Sequence, residues 1–186
     1  FKDMRTHSGV EHASDLEEVL SDLEKMIRVH PATRNNQCVI QIPEQQILVK
    51  VNGLDLLHAM VNLVVNALQA SESMTHVEVY CRQLPANQKL KDPATDSKET
   101  FVFGKLPGGD APMISITVQD DGPGIPPEQL RKVFDDYYTT KQNGTGAGLG
   151  LSALKRVVKD HHGALHLHSV AGEGTAFTLF FPVALA

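Results

Sequence analysis

Gly144-Thr145-Gly146-Ala147-Gly148-Leu149-Gly150-Leu151 sets a glycine at every second position and then turns into Ser152-Ala153-Leu154. From there Leu149, Leu151, Leu154, Val157 and Val158 recur at helical spacing, which predicts a helix from Ala147 to about His161. A flexible linker would account for the glycines, but a linker does not end in an amphipathic helix. Glycines ahead of a helix N-terminus leave backbone N–H groups free to face an anion, and the helix dipole favours that charge. The run is not a Walker loop, because no Gly-Lys-Ser/Thr follows it. It is not a dinucleotide fingerprint either. That needs a strand immediately before it, whereas Tyr137-Tyr138-Thr139-Thr140-Lys141-Gln142-Asn143 is a polar loop.

Two earlier stretches complement it. Asp120-Asp121-Gly122-Pro123-Gly124-Ile125 follows directly on Ile114-Ser115-Ile116-Thr117-Val118, which alternates apolar and polar and predicts a half-buried strand. Asp-Gly and Pro-Gly are common turn pairs, so a plain turn is the ordinary reading. The functional reading is a carboxylate that accepts a hydrogen bond from a base amine, with glycines that let backbone approach the base. Asn62 and Asn66 lie on one side of a helix predicted from Gly53 to about Ser71. That side is otherwise apolar, with Leu56, Leu57, Met60, Leu63, Val64 and Leu68. An isolated Asn pair ties neighbouring backbone. An amide oxygen is also a neutral, hard ligand for a magnesium ion that keeps waters and phosphate oxygens as its other ligands. His58, one turn earlier on the same side, is a candidate reactant. Read alone, it is a hydrogen-bonded core or rim histidine.

Composition narrows the classes. The 186 residues suit one domain with a sizeable core. The net charge of −5 argues against a nucleic-acid surface, which would carry a basic excess. Aromatics are few and Trp is absent, against a base-stacking platform. No apolar run reaches membrane-spanning length, and no signal peptide is visible. Cys38 and Cys81 sit in separate strand-like stretches and read as two buried free thiols in a reducing cytoplasm.

The remaining elements complete the frame. Ser14-Asp15-Leu16-Glu17 has the spacing of a capping box, and Leu16, Val19, Leu20, Leu23, Met26 and Ile27 continue it as a helix that Pro31 stops. Val39–Ile42 and Ile47–Val51 read as strands flanking a Pro-Glu turn. Val77-Glu78-Val79-Tyr80-Cys81 is the natural partner of the Ile114 strand. Between those two lies a polar segment, about 84–113, far longer than a hairpin loop. It reads as an insertion without chemistry of its own, either flexible or carrying a small ribbon at Phe101-Val102-Phe103. Pro126-Pro127-Glu128-Gln129-Leu130 starts a short helix. His166–His168 and Thr175–Phe181 are closing strands around the turn Gly172-Glu173-Gly174, and His161-His162 mark a helix C-terminus. The expected fold is α+β: a two-layer α/β sandwich, a mixed sheet with helices on one face.

Taken together, these residues resemble the catalytic, ATP-binding domain of the sensor histidine kinases, in the superfamily shared with gyrase, chaperone and mismatch-repair ATPases. The resemblance spans about Leu16 to Pro182, with the family's four boxes in order, and brings with it the Bergerat-type ATP-binding fold. It implies ATP and Mg2+ as cofactors. Asn66 would be the magnesium ligand, and Asn62 would contact the phosphates or their water. Asp120 would read the adenine amine, with Gly122, Gly124 and Ile125 lining the base pocket. Phe134 and Tyr138 through Lys141 match the Phe-rich box, with Tyr138, Thr140 and Lys141 against the nucleotide. Gly144, Thr145, Gly146, Ala147, Gly148, Leu149 and Gly150 would cover the phosphates. Gly172, Gly174 and Thr175 match the last glycine box, behind the adenine.

The departures are few. Asp136 and Tyr137 stand where the Phe-rich box usually has Pro and Phe, and Gln69 stands where many members have Lys. Asn62 separates the branches. The ATP-hydrolysing relatives have a Glu there as general base, and an amide cannot take that proton. Slow hydrolysis and transfer to a histidine imidazole are therefore expected. None of the nine histidines has the family's His-Glu or His-Asp context, and His7 and His12 near the start also lack it. The acceptor is expected on a partner helical domain, with residues 1–13 as that domain's tail and 14–186 as the catalytic domain. The implied partners are the dimerisation and phosphotransfer domain of the same protein and a response-regulator receiver domain. The isolated chain is expected to be monomeric and the full-length protein a homodimer. The location implied is cytoplasmic, with membrane anchoring open upstream. Two other classes compete: a nucleotide-binding regulatory module of the anti-sigma, Ser-kinase type, and a hydrolytic ATPase.

Overall fold

The computed structural model describes residues 12–86, 98–106, 111–135 and 150–184. In chain order these form β1 (Ser14–Asp15), α1 (Leu16–Arg28), β2 (Gln37–Ile40), β3 (Leu48–Val49) and α2 (Gly53–Leu68). Then come β4 (His76–Leu84), β5 (Thr100–Gly104), β6 (Met113–Asp120), α3 (Gly150–Asp160), β7 (Ala164–Val170) and β8 (Gly174–Pro182). The main sheet has the order β2-β4-β6-β8-β7-β5. Only β2 and β4 run parallel, so the sheet is mixed. Helix α2 crosses β4 and β6, α3 lies over β7 and β5, and α1 packs on α2. The α+β two-layer sandwich expected from sequence is the observed fold.

Helix periodicity explains the layer. Leu16, Val19, Leu20, Leu23 and Ile27 of α1 are buried, and the α2 stripe Leu56, Met60, Leu63, Val64 and Leu68 meets the sheet residues Val77, Val79, Ile114, Ile116 and Val118 in one core. Among the described residues no helix is long and apolar enough to cross a membrane.

Four local readings change. Asp15, not Ser14, caps α1, accepting from the Glu17 amide at 3.0 Å. Ser14 is drawn into a two-stranded pairing with β3, and its hydroxyl donates to the Val51 carbonyl at 2.8 Å. The two strands around the Pro-Glu turn are shifted or shorter, Gln37–Ile40 and Leu48–Val49, and lie in different sheets: β2 joins β4, and β3 joins β1. Strand β6 is buried almost throughout, because it is central. Its Ser115 and Thr117 are covered by the flanking strands, and Thr117 meets Thr178 of β8 at 3.0 Å.

The fourth change concerns the 84–113 segment, whose residues 87–97 and 107–110 lie outside the described residues. Its Phe101 ribbon is β5, the edge strand of the main sheet against β7. Phe101 stacks on Phe134 at 4.9 Å between ring centroids, and Phe134 meets Phe177 edge-on at 6.2 Å. Its strand β5 therefore packs its aromatics against the core and is not only surface. At the end of α3, His162 adopts φ 54 and the Gly163 amide returns to Val158, a left-handed helix stop at the predicted histidine pair. Cys38 and Cys81 are free thiols, as expected, and burial pushes Cys38 up to about 11.

Candidate nucleotide-binding site

Strand β6 delivers Asp120 to the end of the sheet, where the chain turns into the Asp121–Ile125 loop. The backbone there explains the glycines. Gly124 has φ +70, and a Cβ on it would sit 2.1 Å from the Val170 carbonyl oxygen. Gly174 has φ +124, and a Cβ on it would sit 2.1 Å from the Asp120 carbonyl oxygen. Only glycine fits either place. The Asp-Gly-Pro-Gly loop is thereby pressed against the β7–β8 turn, and the Gly172 amide donates to the Pro123 carbonyl at 2.7 Å.

Asp120 is only 7% exposed. Its Oδ1 accepts from the Gly122 amide at 2.9 Å, and the Thr175 amide also donates to the carboxylate. Loss of water nevertheless dominates. Burial raises the carboxyl to about 6, the two amides pull it down, and neighbouring Asp121 adds a smaller push upward. Asp121 itself turns out to the edge, where it accepts from the His76 amide at 2.7 Å and meets the His76 ring at 3.1 Å.

A cleft of about 350 Å³ opens in front of Asp120. One wall is α2 and its end, with Asn66, Ala67, Gln69 and Ala70. The opposite wall is the loop Pro123, Gly124, Ile125 and Pro126, backed by Gln129 and Val133. Thr175 and Phe177 of β8 form the floor, and Leu151 of α3 reaches the rim. The arrangement is a mostly apolar cleft lined by one buried carboxylate, Asp120, and by an exposed amide, Asn66.

The structure thus brings together Asn66, Asp120, Gly124, Ile125 and Thr175 of the predicted set. Gly122 sits behind Asp120, where a Cβ would lie 2.8 Å from the carboxylate oxygen and 3.3 Å from the Ala70 methyl. Asn62 is half-buried one turn back along α2 and His58 is exposed two turns back, about 6 Å and about 12 Å along the axis from Asn66. Neither lines the cleft formed by the described residues. Tyr138, Thr140, Lys141 and the run from Gly144 to Leu149 lie outside the described residues, while Gly150 begins α3. Sequence reasoning missed Pro123, Gln129, Val133 and Phe177. For Phe177 a signal existed, since it follows Thr175 at strand spacing and so shares its face. It also missed Ser169, which no local pattern marks.

The fold is that of the catalytic domains of histidine kinases. The chain belongs to the family of histidine kinase-, DNA gyrase B- and HSP90-like ATPases, whose model matches residues 51–185. Sensor kinase CckA of Brucella abortus is 31% identical over 168 residues, which cover 90% of this chain and 16% of that protein. The chain therefore spans about a sixth of the length of that relative. The catalytic domain of histidine kinase ThkA superposes with a TM-score of 0.65 at 21% identity, over 92% of this chain and 94% of that one. Full-length ShkA in complex with AMPPNP superposes with a TM-score of 0.60 at 21% identity, over 94% of this chain and 31% of that one.

Proposed function

We propose that the chain binds Mg-ATP in this cleft and transfers its γ-phosphoryl group to a histidine carried by a partner helical domain, in two-component signalling. The carrying observation is Asp120: a nearly buried carboxylate fixed by two backbone amides and lining a cleft of about 350 Å³. An ionised carboxylate accepts from an exocyclic amine and so recognises adenine. The relatives are named sensor kinases, and the AMPPNP complex of ShkA puts a triphosphate analogue in a protein of this fold.

The phosphate end is built differently. Asn66 exposes a neutral amide oxygen on the cleft wall, the donor type suited to a magnesium ion whose other ligands are phosphate oxygens and water. The fit is good, and Asn66 is the residue that would hold it. Bound there, the ion neutralises charge on the triphosphate. The chain's own part is to position the nucleotide, because phosphoryl transfer needs orientation and charge neutralisation more than covalent chemistry. Asn62 and the Gly144–Gly150 run belong to this end in the same reading, with Tyr138, Thr140 and Lys141. An amide at 62 cannot activate water, so hydrolysis is slow. A neutral imidazole nitrogen needs no base, so it is the acceptor. No role is retained for His58, which stands two turns from Asn66.

On this reading residues 1–13 are the tail of the domain that carries the acceptor, a receiver domain takes the phosphoryl group onward, and the work is done in the cytoplasm, where ATP is. The test is to mix the chain with the helical hairpin domain of its own full-length protein and with γ-labelled ATP. Acid-labile, alkali-stable label on the hairpin histidine is expected. Label on serine, or only in free phosphate, overturns the proposal.

A further inference from the structure

We propose that the buried hydroxyl of Ser169 fixes the direction of the hydrogen bond that Thr175 offers to the base, and so makes the pocket select a 6-amino purine over a 6-oxo purine. The inference rests on the adenine-nucleotide reading of the cleft and deepens it.

Ser169 lies on β7 and is 1% exposed. Its Oγ meets three groups. The Ile125 amide donates to it at 2.8 Å. It donates to the Gly174 carbonyl at 3.0 Å. It lies 2.8 Å from Thr175 Oγ1. A serine hydroxyl has one proton and two lone pairs. A carbonyl can only accept, so the proton is committed to Gly174. A backbone N–H can only donate, so one lone pair is committed to Ile125. The remaining lone pair faces Thr175, and Thr175 must be the donor in that contact. Its proton is then turned inward, and toward the cleft it lines its oxygen can only accept.

Thr175 stands directly opposite Asp120 in the β6–β8 ladder. Two acceptors therefore sit side by side in the lining of the cleft. A 6-amino group has two N–H donors for them, whereas a 6-oxo group brings a third acceptor and leaves buried groups unpaired. Sites built to receive a donor reject the analogue without one far more strongly than a pocket rejects a change of shape. Removing the Ser169 hydroxyl frees the Thr175 proton to rotate outward, and the pocket then tolerates either purine.

The structural cost of that change, an Ile125 amide and a Gly174 carbonyl without their partner, weakens both nucleotides alike. The affinity ratio is the selective readout. Calorimetry with Mg-ATP and Mg-ITP is expected to show wild type preferring ATP. Ser169→Ala is expected to lower the ATP/ITP ratio about fivefold to tenfold. Thr175→Val is expected to lower it by a similar factor, and Thr175→Ser, which keeps the hydroxyl, to preserve it. An unchanged ratio in Ser169→Ala overturns the inference. If that variant does not fold, an unchanged ratio in Thr175→Val does the same, as does a lost ratio in Thr175→Ser. Wild type binding both nucleotides equally defeats the inference alone. Wild type binding neither defeats the adenine reading beneath it.

Discussion

The two ends of the cleft are made by different means. At the purine end of the proposed site the polar groups are held in place by short contacts: Asp120 by the Gly122 and Thr175 amides, the Ile125 amide by the Ser169 hydroxyl, and the Pro123 carbonyl by the Gly172 amide. At Gly124 and Gly174 only glycine fits, because a Cβ at either would lie 2.1 Å from a backbone carbonyl oxygen. At the phosphate end the wall is the exposed side of α2, where Asn66 faces solvent from a rigid helix. On the proposed reading the contrast divides the labour: recognition of the base is preorganised, while the grip on the phosphates is completed by what binds. A preorganised end loses least entropy on binding and is the most sensitive to substitution.

The largest effect is expected from breaking the purine end at its most crowded point. Gly174→Ala places a methyl into the Asp120 carbonyl at a φ of +124. It should cost about 3 kcal/mol or more, lower Tm by roughly 6–12 °C, and remove nucleotide binding together with stability. Denaturation followed by calorimetry checks both.

Asp120→Asn separates recognition from stability. Adenine-nucleotide affinity should fall about tenfold to a hundredfold. Stability near neutral pH should hold or rise, since burial makes the ionised carboxylate costly. The pH dependences in wild type then run in opposite directions. The folded carboxyl titrates at about 6, above its unfolded value of 3.8, so folding is favoured as pH falls through that interval and this contribution is lost as pH rises. Nucleotide affinity is expected to be full above about 6, where the carboxylate is ionised, and to fall below it. A denaturation series and a calorimetric series over the same buffers would show the crossing, and Asp120→Asn should flatten both.

Phe101→Ala tests whether the insertion strand supports Phe134, the neighbour of the cleft-lining Val133. Loss of a half-buried ring stacked on Phe134 should cost about 2 kcal/mol, with nucleotide affinity reduced less than by Asp120→Asn. An unchanged melting temperature would return β5 to the role of surface decoration.

The smallest change in stability is expected for Asn66→Ala, within about 0.5 kcal/mol, because the side chain is exposed. Its effect should appear only as lost magnesium dependence of ATP binding, measured with and without the ion. Magnesium-dependent binding that survives would remove Asn66 from the phosphate end.

Much of this was legible beforehand because it is local. The stripes of α1 and α2 follow from 3.6-residue periodicity, the Asp120 loop from a strand running into turn residues, and the β7–β8 hairpin from Gly172-Glu173-Gly174. The misreadings share one cause. Ser14 caps well in isolation, but the Val51 carbonyl, more than thirty residues away and just past β3, takes its hydroxyl. Phe101 stands in a polar insertion, yet sheet order carries it to Phe134.

What the sequence determined unaided is the set of elements and the chemical identity of the cleft's few polar groups, since helix stripes, strand alternation and turn glycines are properties of neighbouring residues. Which strand lies beside which, that a serine on β7 orients a threonine on β8, and that a carboxylate loses its water were decided only by the tertiary structure. Those are contacts between groups far apart in the chain, and only packing sets their distances and their dielectric surroundings.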